Sequence, residues 1–509
     1  MKTKSTLINY FLVVIGIIIL INILFSGLSL RLDMTDDNRF TLSDATKKIL
    51  KEVQQPVTVT AYFSEDMPPE FSKNKIRFKE LLEEYRKISK GKLMYEFKNP
   101  NEEKKIENEA NKAGVRPVLI PIRKKDEMTQ KKAYMGAVIK TGGKQEIIPV
   151  LRRSVALEHL LSSGIKKLIV EEKPKIGFVQ GHGEPVINKL RQVRQALEVL
   201  YNVESIRMDE STNLDQYKTL AIVAPTDSFP ASHLRMIDDY LNKGHGLFVA
   251  LNYVEGDLQR AMGMKNSTGF ETWLSNKGIV LDDQFVVDDN SGVVTVLQQQ
   301  GPFQLPTQIK FPYIPLIENF NEDHPITKGL EITIHTFASP LRFEGDTTKL
   351  AFTPLAKTSK KSGVQPCPTY FDINKDWGAG DFGMPFIPIG GAVEGTFSPN
   401  GAPSKMVVFA DGDFPVEPDN QEGMGQSEVH EDNVNLMVNA IDWLSDETGL
   451  VELRTKGITL RPLDKIDDTK KTILKYLNFL LPILLIVIYG IIRMQRNKNL
   501  RIKRMEGYV

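Results

Sequence analysis

The stretch KIGFVQGHGEPVINKLRQVRQALEVLY, residues 175–201, decides the fold of the longest part of this chain. Residues 176–180 have the continuous apolar character of a strand that is buried on both faces. Gly181 to Glu184 predicts a turn, and apolar residues then recur at helical spacing from Val186 to Leu200. A strand, a tight turn and a helix in this order predict one unit of a parallel α/β sheet.

The same alternation continues along the chain. Strands are predicted at residues 203–208, 219–224, 246–251 and 405–410, and helices at 231–242 and 431–444. Because crossovers between parallel strands are right-handed, these units predict a doubly wound, Rossmann-like α/β domain over 174–450. Residues 253–402 are rich in Pro, Gly and Asp and poorer in periodic signal, which predicts a β-rich insertion.

The preceding part of the chain, residues 34–153, shows short strands and helices in the order βαβαβββ. This order resembles a thioredoxin-like α/β domain, but the one cysteine of the chain is Cys367, so dithiol chemistry is excluded. A helix over 154–173 is predicted to connect the two domains. Five basic residues are predicted to lie in a solvated loop between strands: Arg123, Lys124, Lys125, Lys131 and Lys132.

Two apolar runs flank these domains. Residues 7–30 form about 24 uncharged residues, long enough to span a bilayer, and we expect a retained anchor over 1–33. A cleaved secretory signal is the alternative, although signal cores are usually shorter. Residues 451–472 are predicted as a linker, 473–493 as a second transmembrane helix and 494–509 as a basic tail. Since both termini are basic, both are expected in the cytoplasm.

Several functions are excluded by composition and by missing motifs. The chain has 65 Lys plus Arg against 64 Asp plus Glu, so no excess of positive charge favours nucleic acid. It contains neither a G-x-x-x-x-G-K-[ST] phosphate loop nor a G-x-S-x-G elbow. A class I glutamine amidotransferase would carry a cysteine on a sharp turn after a central strand, and none stands there. We therefore predict no enzyme activity, no cofactor and no metal.

A candidate ligand site lies where the predicted strands of the second domain end. Ligands of open α/β sheets collect at the carboxyl ends of strands, and four of these ends carry small or polar residues. The alternative is turn chemistry, with Gly183 and Gly412 at positive φ and the carboxylates capping the following helices. The predicted ligand-binding residues are Gly181, His182, Gly183, Glu184, Thr226, Asp227, Asn252, Asp411 and Asp413.

Several segments together resemble one known family. They are RLDMTDDNRFTLSDATKKILKEVQQPVTVTAYFS at 31–64, IGFVQGHGEP at 176–185, LAIVAPTDSFPASHLRMIDDYLNKGHGLFVALN at 220–252, HPITKGL at 324–330, VVFADGDFPVEP at 407–418 and NVNLMVNAIDWLSDE at 433–447. In this order they resemble the gliding-motility ABC-transporter auxiliary family, the GldG type.

The resemblance implies an auxiliary subunit that works with a permease and a separate ABC ATPase in the bacterial inner membrane. It also implies that the second domain is an amidotransferase-like module without catalysis, exposed on the extracytoplasmic side. Two other functions stay open from the residues. One is a module that binds a glycan or another envelope ligand. The other is a membrane-tethered hydrolase that holds a divalent metal with His182, Glu184, Asp411 and Asp413.

Overall fold

The computed structural model describes residues 13, 14, 16, 41–65, 67–124, 127–151, 157–170, 173–209, 211–300, 303–418, 428–445 and 468–506. The predicted first span lies outside these residues except at three positions. The elements up to residue 170 are α1 (Asp44–Glu52), β1 (Val57–Phe63), α2 (Pro69–Ile88), β2 (Leu93–Lys98), α3 (Lys104–Lys112), β3 (Val118–Lys124), β4 (Glu127–Ala133), β5 (Met135–Thr141), β6 (Lys144–Ile148) and α4 (Leu157–Ile169).

Four of these strands form one sheet in the order β2-β1-β5-β6. Strand β1 is parallel to β2 and antiparallel to β5, which is antiparallel to β6. Alternate apolar residues of β1, such as Val59 and Phe63, are buried together with Phe78 and Tyr85 of α2. The alternating apolar residues of β1 and the helically spaced apolar residues of α2 thus form one core.

The predicted basic loop is instead a β-hairpin of strands β3 and β4. Arg123 and Lys124 end β3, where Lys124 pairs with Glu127, and Lys131 and Lys132 lie on β4. Lys125 is outside the described residues. The prediction was wrong because charged residues dominate the strand ends, and composition alone does not reveal cross-strand pairing.

Helix α4, expected as a connector, packs against the sheet of the first domain. Its Glu158 carboxylate accepts a hydrogen bond from the backbone N–H of Ser43 at 2.8 Å. Its Ser162 hydroxyl lies 2.8 Å from the Thr46 hydroxyl and 2.6 Å from that of Tyr85. These buried polar contacts, surrounded by apolar side chains, tie α4 to α1 and α2.

The second domain contains further strands and helices, together with a short 3₁₀ turn at Ile187–Leu190. The helix predicted from 186 onward is therefore shorter than expected. The elements are β7 (Lys175–Gln180), α5 (Arg191–Leu197), β8 (Asn202–Arg207), β9 (Tyr217–Val223), α6 (Ala231–Asn242), β10 (Gly246–Ala250), β11 (Val254–Asp257), β12 (Met262–Lys265), α7 (Phe270–Asn276), β13 (Ile279–Leu281), β14 (Gln284–Asp288), β15 (Ser291–Gln300), β16 (Phe303–Ile317), β17 (Asn319–Phe320), β18 (Thr333–Ile334), β19 (Leu341–Phe343), β20 (Leu350–Lys357), β21 (Ser362–Pro366), β22 (Thr369–Tyr370), β23 (Pro388–Gly395), β24 (Ser404–Phe409) and α8 (Glu431–Ser445).

The main sheet of the second domain has eight strands in the order β17-β20-β23-β24-β10-β9-β7-β8. Strands β24, β10, β9, β7 and β8 are parallel, whereas β17, β20 and β23 add an antiparallel edge. These three strands come from the predicted insertion. Strand β23 carries Gly390 and Gly391, which leave room for the rings of Phe409 and Phe352 and give the strand the appearance of a loop in sequence.

Both faces of this sheet are covered. In β10, Phe248 and Ala250 belong to the core that contains α5 and α8. Leu247 and Val249 belong to the core on the opposite face, which contains α6 and α7. A continuous apolar strand is therefore buried on both sides, as the sequence predicted. Other strands of residues 253–402 form small sheets, several of which contribute to an aromatic cluster that includes Phe285 and Phe371, whereas β13 and β19 belong to the core that contains α6 and α7.

The C-terminal unit contains one long helix, α9 (Asp468–Glu506). Its apolar side chains are exposed, and within the described residues it is long and apolar enough to cross a membrane. The predicted span 473–493 lies inside α9, and the predicted basic tail continues the same helix to Glu506.

Candidate functional site

The carboxyl ends of β7, β9, β10 and β24 lie at one edge of the sheet, because these four strands are parallel neighbours. Side chains that follow these strands form two groups, each of which includes predicted site residues. We call the group of His182, Glu184, Phe229 and His233 the closed corner. The pair Asn252 and Asp413, with the space that they line, is the open corner.

The closed corner is centred on a buried imidazole. The backbone N–H of His182 donates to Glu184 Oε2 at 2.7 Å, and its Nδ1 lies 3.1 Å from Glu184 Oε1. Its Nε2 lies 2.8 Å from Nδ1 of His233. The ring stacks on Phe229 with centroids 3.8 Å apart. Burial and the neighbouring His182 lower the pKa of His233, although Asp209 acts in the opposite direction.

The turn after β7 also holds the turn after β9. The His182 carbonyl accepts hydrogen bonds from the N–H groups of Thr226 at 3.0 Å and Asp227 at 2.8 Å. Gly183 has φ +78°, as the turn alternative predicted, and a Cβ there would lie 2.0 Å from Thr226 Oγ1. The Glu184 carboxylate accepts a hydrogen bond from the backbone N–H of His182 in the same turn, so it stabilises that turn.

Asp411 follows β24, two residues before Asp413, and is fully buried. Its Oδ2 accepts from Nδ1 of His335 and from the N–H of Thr336, both at 3.0 Å. Its Oδ1 accepts from the N–H of Asp413 at 2.9 Å. This carboxylate therefore fixes the segment after β18 against the end of β24, and its oxygens face internal donors.

The open corner is built on a close approach of backbones. Asn252 accepts from the N–H of Gly412 at 2.6 Å and donates to Asp413 Oδ2 at 2.8 Å. A Cβ on Gly412 would lie 2.8 Å from Cα of Ala224, so glycine is required by space. Gly412 does not have positive φ, contrary to the turn alternative.

Asn252 and Asp413 line a crevice of about 670 Å³. Asp413 is solvent-exposed, but the surrounding protein partly desolvates its carboxylate. This desolvation and the neighbouring Asp411 carboxylate raise the pKa of Asp413 to about 6. Glu255 acts in the same direction. The walls combine apolar and polar side chains: Pro185, Val186, Val254, Ile334, Phe337, Phe414 and Val416, with Lys189, Glu255, Thr336, Glu417, Glu428, His430 and Asn433.

The structure thus separates the predicted site residues. Asn252 and Asp413 line the crevice, whereas His182, Glu184 and Asp411 are buried and do not line it. Thr226 and Asp227 are exposed outside its lining. Among the described residues, no three His, Cys, Asp or Glu side chains are grouped so that they could hold a metal ion.

Both corners also contain residues that the sequence analysis did not identify. Phe229 and His233 fill the closed corner, and His335 is fully buried against Asp411. Thr336 and Glu255 border the open corner. The alternation in residues 333–336 could have indicated one buried face there, but no spacing in sequence links it to Asp411.

The fold and site define an α/β module joined to an apolar helix, and comparison with known proteins gives its family. The family described as ABC-type uncharacterized transport system matches residues 173–440, so the chain belongs to this family. A domain of unknown function matches residues 36–140. The family name associates the chain with components of a transport system, and α9 associates it with a membrane.

Individual proteins show more distant likeness. A protein of Borreliella burgdorferi described as uncharacterized is 24% identical over 356 residues, which cover 67% of this chain and 68% of that protein. The N-terminal domain of IFT52 has a TM-score of 0.36 and 16% identity, covering 53% of this chain and 97% of that one. A ThuA-like protein from Parabacteroides merdae has a TM-score of 0.30 and 12% identity, covering 58% and 94%. Neither structural likeness carries a conclusion.

Proposed function

We propose that this chain is a non-catalytic, membrane-anchored auxiliary component of an ABC transporter of the gliding-motility type. One observation carries the non-catalytic part. The three side chains best suited to acid–base chemistry at the strand ends, His182, Glu184 and Asp411, are buried and bonded to neighbouring groups. A catalytic group must reach its substrate, and these three hold the turns of the fold together.

The proposal includes a two-pass topology with both termini in the cytoplasm and the folded domains on the extracytoplasmic side. The exposed apolar helix α9 supports the second pass. We further propose that residues 34–153 form a thioredoxin-like domain, supported by the order β2-β1-β5-β6, and that 174–450 form an amidotransferase-like domain. A permease and a separate ATPase are the partners.

The test is recovery of partners from the native membrane. The full-length chain is purified in mild detergent, and the co-purified proteins are identified by mass spectrometry. We expect a multi-span permease and an ABC ATPase in fixed ratio. The matched control replaces residues 473–492 with an unrelated apolar span of equal length, which preserves anchoring. Recovery of neither partner with the native chain would contradict the proposal.

The strand-end crevice supports a second role within the same complex, the binding of an extracytoplasmic ligand such as a glycan. Asn252 and Asp413 present amide and carboxylate groups beside apolar walls, the combination by which hydroxyl-rich ligands are oriented. Its size lies within the range of pockets that bind small molecules.

The binding test measures envelope oligosaccharides by calorimetry against the full chain. Asn252→Ala with Asp413→Asn should weaken binding at least tenfold, because the amide of Asn252 is removed and one acceptor oxygen of Asp413 is replaced by a donor. Asp239→Asn, which alters an exposed aspartate on α6, is the control. Equal binding by all variants would exclude this crevice as the site.

A further inference from the structure

Helix α9 is longer than a membrane span requires. It continues without interruption from Asp468 to Glu506, about 58 Å at 1.5 Å per residue. Residues 473–492 carry one charge, Lys475, and cover about 30 Å, which is the thickness of the hydrocarbon core. Residues 493–506, here called the cationic extension, therefore continue the helix about 20 Å past the apolar segment.

The cationic extension has a strong charge imbalance. Arg493, Arg496, Lys498 and Arg501 are all exposed. The sequence adds Lys503 and Arg504, and Glu506 is the one acidic residue of the extension. Basic clusters of this size, placed directly after a span, are attracted to the negative surface of a leaflet rich in anionic lipid.

The positions of the cations distinguish a lipid surface from a protein groove. At about 100° per residue, positions 493, 496, 498 and 501 lie near 0°, 300°, 140° and 80° around the helix. More than half of the circumference is thus positively charged. A protein groove contacts one face of a helix, whereas headgroups surround an emerging helix on all sides.

The positions of the cations along the helix axis also agree with binding to lipid headgroups. Along the axis, Arg493 lies at the end of the apolar segment, and Lys498 and Arg501 follow about 8 and 12 Å further on. Headgroups occupy roughly 5–7 Å on each side of the hydrocarbon core. Long arginine and lysine stems can bend back toward this layer, so the charges of the described cations come within reach of lipid phosphates.

We infer that the cationic extension binds the phosphate groups of anionic lipids in the leaflet from which α9 emerges, and that it thereby fixes the depth of the helix. This inference rests on the membrane anchoring included in the proposed function. It goes beyond that anchoring, because it assigns a lipid class and the residues that bind it.

The experiment uses the full chain in nanodiscs of phosphatidylglycerol and phosphatidylcholine. After brief extraction in mild detergent, the ratio of the two lipids retained by the protein is compared with the input ratio. We expect enrichment of phosphatidylglycerol by about fivefold, the preference that one cation near the surface confers. At 1 M salt the enrichment should disappear, since the screening length is then about 3 Å.

Variants separate charge from other causes. Arg496→Gln with Lys498→Gln and Arg501→Gln removes three of the six cations and should lower the enrichment clearly below that of the native chain. Arg496→Lys with Arg501→Lys keeps the charge and should keep the enrichment. A triple control on α2, Lys73→Gln with Lys79→Gln and Lys87→Gln, makes the same change in net charge at exposed positions outside α9 and should have no effect.

The outcomes are distinguishable. Retention at the input ratio by an integrated native chain would overturn the inference and leave the proposed anchoring intact. If the glutamine variant instead loses an acidic protein from native membranes while its lipid ratio is unchanged, the partner is a protein and the inference is wrong. If the native chain fails to float with lipid vesicles, anchoring fails as well.

Discussion

The closed and open corners occupy the same edge of one sheet and follow the same kinds of strand, yet they differ in accessibility. In the closed corner a histidine and a glutamate satisfy each other beneath Phe229. In the open corner an asparagine and an aspartate also bond to each other, but they line a 670 Å³ crevice. A polar side chain at a strand end is thus available to a ligand only where the neighbouring loop leaves space.

The largest expected effect concerns Asp411, which holds the segment after β18 against the end of β24. Asp411→Ala leaves the buried His335 and two backbone N–H groups without their acceptor, which should cost about 3–5 kcal/mol. The three tryptophans, at 273, 377 and 443, all lie in the second domain, so urea titration followed by their fluorescence measures this loss in the full chain.

Asp413→Asn provides the matched control, because Asp413 is exposed and keeps an oxygen for Asn252 after the change. We expect its unfolding midpoint to stay close to that of the native chain. Equal losses for Asp411→Ala and Asp413→Asn would remove the distinction between a structural and an accessible carboxylate.

The closed corner should behave as core. His182→Ala removes a ring stacked at 3.8 Å and leaves Glu184 without its imidazole partner, and we expect a loss of about 3 kcal/mol. Ligand binding in the crevice should persist in the folded fraction. His430→Ala alters an exposed histidine of the crevice wall whose ring accepts a hydrogen bond from the N–H of Asp432, and it should cost no more than about 1 kcal/mol.

Gly412 tests the close backbone approach of the open corner. Gly412→Ala places a Cβ 2.8 Å from Cα of Ala224 and should cost about 1–3 kcal/mol through displacement of the strand-end turn. Gly380→Ala, where a Cβ meets nothing within 4 Å, is the control. A neutral result at Gly412 would show that the turn adjusts freely.

A smaller effect is expected from the pH dependence of Asp413. Because its pKa is raised to about 6, the folded state holds a proton that the unfolded state releases near pH 4. Stability should therefore fall as pH rises from about 4 to 6, by about 1 kcal/mol or less once solvent screening is included. Asp413→Asn should remove this slope in urea titrations made at successive pH values.

His233 should respond in the opposite direction. Its pKa is lowered by burial and by His182, so the unfolded state binds a proton more readily than the folded state. The stability contributed by neutral His233 should be lost as pH falls below about 6.5. His233→Gln should remove this loss of stability at low pH and leave the pH dependence that Asp413 causes unchanged. If a single substitution removed both pH effects, the two corners would not be independent.

Some of the architecture followed directly from local pattern. Gly246–Ala250 is apolar at every position after its glycine, and the structure buries it on both faces. Strand β23, which pairs with β20 and β24, escaped prediction because Gly390 and Gly391 give no apolar period. Asn252 and Asp413, which were predicted from their place after strands, line the crevice, whereas His233 and His335 were not singled out from the sequence.

The sequence by itself determined the parallel α/β order, the apolar length of α9 and the absence of a cysteine at the strand-end turns, because each depends on residues close together in the chain. Only the tertiary structure decided which strand end stays open. Phe229 stacks on His182 across 47 positions of sequence and closes one corner, while Asn252 meets Asp413 across 161 positions beside a crevice. Such contacts arise from packing between distant segments, and no local periodicity records them.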